Sequence, residues 1–124
     1  MKIIKLGWLG TRTEHDGAAA AFFAQVLDLP EVLREDGFWV FKLPDGAKVE
    51  VFGPQCPYNR HFTTGPVAGL LVDDVFAAAQ ELRVAGVEVA SGPTSSPDGN
   101  AWVHFRAPDG RLYELPQDPE VGRG

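Results

Sequence analysis

Phe105-Arg106-Ala107-Pro108-Asp109-Gly110-Arg111-Leu112-Tyr113-Glu114-Leu115 decides the fold, because the chain has already written it once as Phe41-Lys42-Leu43-Pro44-Asp45-Gly46-Ala47-Lys48-Val49-Glu50-Val51. The copies lie 64 residues apart, with Phe, Pro, Asp, Gly and Glu at five matching offsets and an apolar residue last. Pro presets φ at the first turn corner, Asp bonds the local backbone, and Gly accepts a positive φ. Each copy is therefore predicted to be strand, tight turn, strand. A repeat at this spacing means two half-domains rather than a solenoid. Turn chemistry needs no acid in the last strand, so the repeated Glu asks for another explanation.

Upstream of the first copy, residues 3–11 alternate and place Ile4, Leu6 and Trp8 on one side of a half-buried strand. Asp16 is positioned to cap a helix carrying Phe22, Phe23, Val26 and Leu27 at helical spacing, and Pro30 stops it. Residues 31–35 and 38–43 read as strands leading into the turn. Upstream of the second copy the order repeats. Residues 67–72 form a strand, Asp73 or Asp74 caps a helix with Val75, Ala78, Ala79 and Leu82 on one face, and Gly86 ends it. Residues 87–90 form a short strand, and the polar stretch 91–100 reads as a flexible loop. The expected architecture is α+β, with two tandem βαβββ modules forming a curved mixed sheet around a cleft. It is one domain: module one over 1–53, a connector over 54–66 packed over something by virtue of its aromatics, module two over 67–116, and a loose tail over 117–124.

The 124 residues suffice for a core without staples, and 14 Gly with 10 Pro fit many short turns. A net charge of −6 argues against nucleic acid or an anionic membrane as partner. Cys56 is the lone cysteine, so no intramolecular disulfide forms, and a reducing compartment is the simpler expectation. With no apolar signal-like run at Met1–Gly7 and no window long enough to span a membrane, a soluble cytoplasmic protein is expected. No P-loop, dinucleotide fingerprint or nucleophile elbow is present.

The paired Pro-Asp-Gly hairpins, with Phe22-Phe23-Ala24-Gln25-Val26-Leu27-Asp28-Leu29 and Val72-Asp73-Asp74-Val75, resemble the vicinal oxygen chelate superfamily over nearly the whole chain. That group includes glyoxalase I, extradiol dioxygenases, epimerases, fosfomycin-modifying enzymes and bleomycin resistance proteins. In its metal-using members each module supplies two ligands to a divalent ion, a first-strand His and a last-strand Glu. The resemblance puts the Glu positions on Glu50 and Glu114, and the first-strand positions on Trp8 and Val67. An indole nitrogen only donates and Val has no ligand atom, so half of the usual metal site is missing.

Counting strand positions back from the second turn sets Phe105 against Tyr113 and His104 against Glu114. Trp102 and His104 then share a face with Glu114. The same count sets Val40 against Glu50, while Trp39 faces away. By the family's architecture the face of Glu114 lines the cavity. His104 with Glu114 reads as an acid–base pair, as part of a substitute metal site with Glu50, or as a cross-strand hydrogen bond. Trp8 and Trp102 read as stacking surfaces for a planar or cationic ligand, or as core. His61, beside Arg60 and Phe62, reads as a contact at the cavity mouth or as a solvated loop residue.

The leading expectation is a metal-independent binder of a small organic molecule, homodimeric by resemblance. Its ligand-binding residues are Trp8, Glu50, His61, Trp102, His104 and Glu114, with His104 and Glu114 the catalytic candidates. No cofactor is expected, although a divalent metal on Glu50, Glu114 and His104 would make the protein a lyase, isomerase or dioxygenase. A module whose cleft serves protein partners is the third option.

Overall fold

The computed structural model describes residues 1–63 and 65–119. The element order is β1 (Ile3–Arg12), α1 (Asp16–Ala21) widening into a π-helical turn (Phe22–Val26), β2 (Glu31–Glu35), β3 (Phe38–Lys42) and β4 (Lys48–Phe52). Module two follows as β5 (Pro66–Val72), α2 (Val75–Val84), β6 (Glu88–Ser95), β7 (Ala101–Arg106) and β8 (Leu112–Gln117). This is α+β, a βαβββ order written twice. The chain divides into two compact units, Trp8–Val67 and Met1–Gly7 with Ala68 onward.

In the first unit the strands run β2-β3-β4-β1, with β1 parallel to β4 and the others antiparallel. One sheet face carries Phe41, Val49 and Val51, buried with Ala20 of α1; Phe23 and Trp39 pack against them. Trp39 thus takes the helix side, as alternation predicts. In the second unit the order is β5-β8-β7-β6. Val72, Val103 and Leu115 pack there against Val75, Ala78, Ala79 and Leu82 of α2. Asp74 is the cap, accepting from Phe76 and Ala77 N–H at 3.1 and 3.0 Å. Both hairpins close as expected: Leu43 accepts from Gly46 N–H and Ala107 from Gly110 N–H, each at 2.9 Å. Gly46 and Gly110 adopt φ of 89° and 82°, where a side chain would be strained. Asp45 and Asp109 accept from the N–H two residues on, at 2.9 and 3.0 Å.

Several expectations are corrected. Ile4 and Leu6 are exposed, at 43% and 63%, although they share the parity of buried Trp8. The α1 cap position is His15, with Asp16 the first helical residue. Phe22, Val26 and Leu27 are exposed because the π-turn, closed by Leu27 N–H to Phe22 C=O at 3.1 Å, shifts the helical phase and leaves Phe23 facing the sheet. The supposed loop over 91–100 is strand as far as Ser95, since backbone pairing with β7 does not require apolar side chains. β8 extends to Gln117, which was expected to open the tail, and residues 120–124 lie outside the described residues. Among the described residues no helix is long and apolar enough to cross a membrane.

Candidate functional site

Each module places a glycine of its first strand directly opposite the repeated glutamate. Gly10 partners Glu50 across β1 and β4, and Gly69 partners Glu114 across β5 and β8. Trp8 and Val67 stand two residues before those glycines. The register therefore supports the equivalence that the resemblance implied. The outer hairpin strand then brings Val40 opposite Glu50 and His104 opposite Glu114, as counted from the turns.

In module one, Trp8 reaches along β1 rather than out from it. Its ring passes over Gly10, where an added methyl would overlap the six-membered ring. The indole Nε1–H donates to Glu50 Oε1 at 2.7 Å. Phe52 and Phe62 flank the ring at centroid distances of 6.4 and 5.8 Å, and Phe38 stacks on Phe52 at 5.2 Å. Trp8 is 8% exposed and Phe62 1%. Burying these rings together is strongly favourable.

In module two, His104 is fully buried and Glu114 is 5% exposed. Nε2 lies 2.9 Å from Glu114 Oε1. Burial pushes the His104 pKa down to about 4, so the ring is neutral near pH 7. A neutral ring carries one N–H and one lone pair, and the bond to Glu114 is made through Nε2. Trp102, half-buried, shares the parity of His104 and sits opposite Pro116. Chemically the pair is a carboxyl group steadied by a neutral imidazole.

The sequence-predicted residues thus fall into two groups. Trp8 and Glu50 meet in one unit; His104 and Glu114 meet in the other, with Trp102 on the same strand face. His61 is exposed on the connector with its ring 4.7 Å from that of Phe62.

Three residues with clear roles escaped the sequence reading. Gly10 had a signal, since an isolated Gly inside a strand often marks a close approach. Phe62, an unexceptional connector residue by sequence, is buried against Trp8. Arg12 Nη1 donates to Gly53 C=O at 2.7 Å and to Cys56 C=O at 3.4 Å, and Nη2 donates to Tyr58 C=O. Its guanidinium also lies 5.5 Å over Phe52. The connector is therefore packed down, as its aromatics suggested, and Cys56 is buried within it. A depression of about 610 Å³ opens beside the β2–β3 turn between Asp16, Arg34, Asp36 and Trp39, and no predicted site residue lines it.

The donor set does not match a module-paired four-ligand metal site. Trp8 presents an N–H where a ligand lone pair is needed, and Val67 presents a methyl. Among the described residues no group of three or more His, Cys, Asp and Glu side chains is placed to hold a metal ion.

Solved structures share the fold at low identity. A Mn(II)-bound glyoxalase from Novosphingobium aromaticivorans aligns with TM-score 0.73 and 24% identity over 94% of this chain, which spans only 40% of that one. A hypothetical protein from Bacillus halodurans C-125 aligns with TM-score 0.72 and 20% identity, covering 92% of this chain and 94% of the other. Streptomyces coelicolor methylmalonyl-CoA epimerase, in complex with 2-nitronate-propionyl-CoA, aligns with TM-score 0.68 and 17% identity over 94% and 99% of the two chains. No curated protein matches the sequence. The family model for the glyoxalase/bleomycin resistance protein/dioxygenase superfamily matches residues 5–115, almost the whole chain, with both hairpins inside it. The chain belongs to that superfamily.

Proposed function

We propose that the protein binds a small organic molecule through the face of Glu114 and Trp102, without the four-ligand metal site of its metal-using relatives. One observation carries this reading: Glu50 and Glu114 are each hydrogen-bonded to a ring nitrogen of their own module, at 2.7 and 2.9 Å. Such carboxylates are oriented acceptors in apolar surroundings, the arrangement typical of small-molecule sites. Glu114 accepts an N–H or O–H of the ligand, and His104 holds the carboxylate in place. Trp102 supplies a stacking surface on the strand face of His104. In the other unit, Trp8, Glu50 and His61 are the candidate ligand contacts. The superfamily resemblance supports a homodimer, and the composition supports a cytoplasmic one.

The test is a fluorescence titration of the three tryptophans with bleomycin, S-lactoylglutathione, methylmalonyl-CoA and catechol. Saturable quenching by at least one compound is expected, weakened by about tenfold in Trp102→Ala. Absence of binding by all four, or binding unchanged in Trp102→Ala, overturns the reading. Turnover of any of them that needs stoichiometric metal and is lost in Glu50→Gln replaces it with the lyase, isomerase or dioxygenase reading.

A further inference from the structure

We propose that the Trp8 indole is a built-in substitute for a cation at Glu50, and that Gly10 is the opening that lets the ring reach the carboxylate. This deepens the preceding reading and rests on its assignment of Glu50 to the site, but its test uses no organic ligand.

The geometry follows from strand alternation. Side chains at positions 8 and 10 of β1 point to the same face, and position 10 is the residue opposite Glu50. Any side chain at position 10 would stand between residue 8 and the carboxylate. Glycine removes that obstacle, and the Trp8 ring takes the space that a Cβ would fill. The ring's polar edge then arrives at Glu50 Oε1 with a donor–acceptor distance of 2.7 Å, in the range of a charge-assisted hydrogen bond. A first-strand His at position 8 would offer a lone pair to a metal that Glu50 also binds. The indole instead offers the proton itself.

The substitution is held in place by packing. Phe52 lies 6.4 Å and Phe62 5.8 Å from the Trp8 ring, and both are buried at 0% and 1% exposure. Swinging the indole away to admit a metal would open a void in this aromatic cluster. An ion approaching Oε1 must therefore compete with a donor that is already positioned.

The experiment uses the intact wild-type chain with ¹⁵N-labelled tryptophan. The Trp8 Nε1–H resonance, assigned by its loss in Trp8→Phe, is expected to lie downfield and to move in Glu50→Gln. It should stay sharp when one equivalent of Mn(II) is added. Calorimetry with Ni(II) supplies the converse: Trp8→His should bind at least about tenfold more tightly than wild type, and adding Glu50→Gln should remove the gain. Paramagnetic broadening of the wild-type Trp8 resonance overturns the proposal, as does equal Ni(II) affinity in wild type and Trp8→His. Should Trp8→His fail to fold, the wild-type Mn(II) titration decides alone.

Discussion

In module one the ring nitrogen beside the last-strand carboxylate comes from the first strand; in module two it comes from the outer strand of the hairpin. The backbone frame is shared, with Gly10 opposite Glu50 and Gly69 opposite Glu114. The side chains around it have exchanged roles. Trp8 donates to Glu50 and Val40 stands opposite it on β3, whereas His104 stands opposite Glu114 on β7 and bonds it from there. A buried or half-buried carboxylate needs a donor, but the sheet offers two places from which to supply one. The duplicated fold therefore fixes where the acid stands and leaves open which strand satisfies it.

The aromatic content of the two faces gives the largest expected difference. Phe52 is fully buried among Trp8, Phe38 and Phe62, and its counterpart 64 residues on is half-buried Pro116. Phe52→Ala should cost about 4 kcal/mol, since it removes a buried ring and leaves a cavity against three others. Pro116→Ala should cost less than about 1 kcal/mol. Urea denaturation midpoints at unchanged slope give both numbers. Similar losses at the two positions would mean that module two's face is packed as tightly as module one's.

Next in size is a pH effect confined to module two. The folded-state pKa of His104 is depressed by burial to about 4, against about 6.5 unfolded. Above pH 6.5 neither state holds the proton, and the effect vanishes. Between those values the unfolded chain binds a proton that the folded chain refuses, so stability falls as pH falls. Below pH 4 both states are protonated and the loss is complete, at on the order of 3 kcal/mol. Unfolding curves at pH 7, 5.5 and 4 should follow this course in wild type and flatten in His104→Gln. An identical slope in the variant would assign the pH dependence to other groups. In module one the ring donor is an indole, which does not titrate in this range.

These contrasts also show what the sequence made legible. The pairings Val40–Glu50 and His104–Glu114 were readable because Pro-Asp-Gly fixes the turn and alternation fixes every residue behind it. The helix over 75–84 was readable from Asp74 and its apolar stripe. Alternation says which residues share a face, not whether anything covers that face, so Ile4 and Leu6 were misjudged. The stripe Phe22, Val26 and Leu27 failed because one π-turn breaks the 3.6-residue phase. Strand β6 was hidden by polar side chains whose backbone still pairs with β7. Within the site, the bond between Trp8 and Glu50 was not visible, since it depends on a ring leaning two residues along its strand. Gly10 was the available clue.

The smallest expected effect tests the part that the modules share. Gly46 and Gly110 occupy the same turn position at φ of 89° and 82°, and each follows an Asp that accepts from the N–H two residues on. Nothing lies within 4 Å of a methyl added at Gly110, so Gly110→Ala reports backbone strain alone. An L-residue at that φ costs about 1 kcal/mol. Gly46→Ala should match it if the two turns are the same device, and the double variant should lose the sum, because the sites share no partner. A clearly larger loss at Gly46 would mean that this turn carries packing that its twin does not. The asymmetry between the modules would then begin at the turn itself rather than at the strands where the donors exchange.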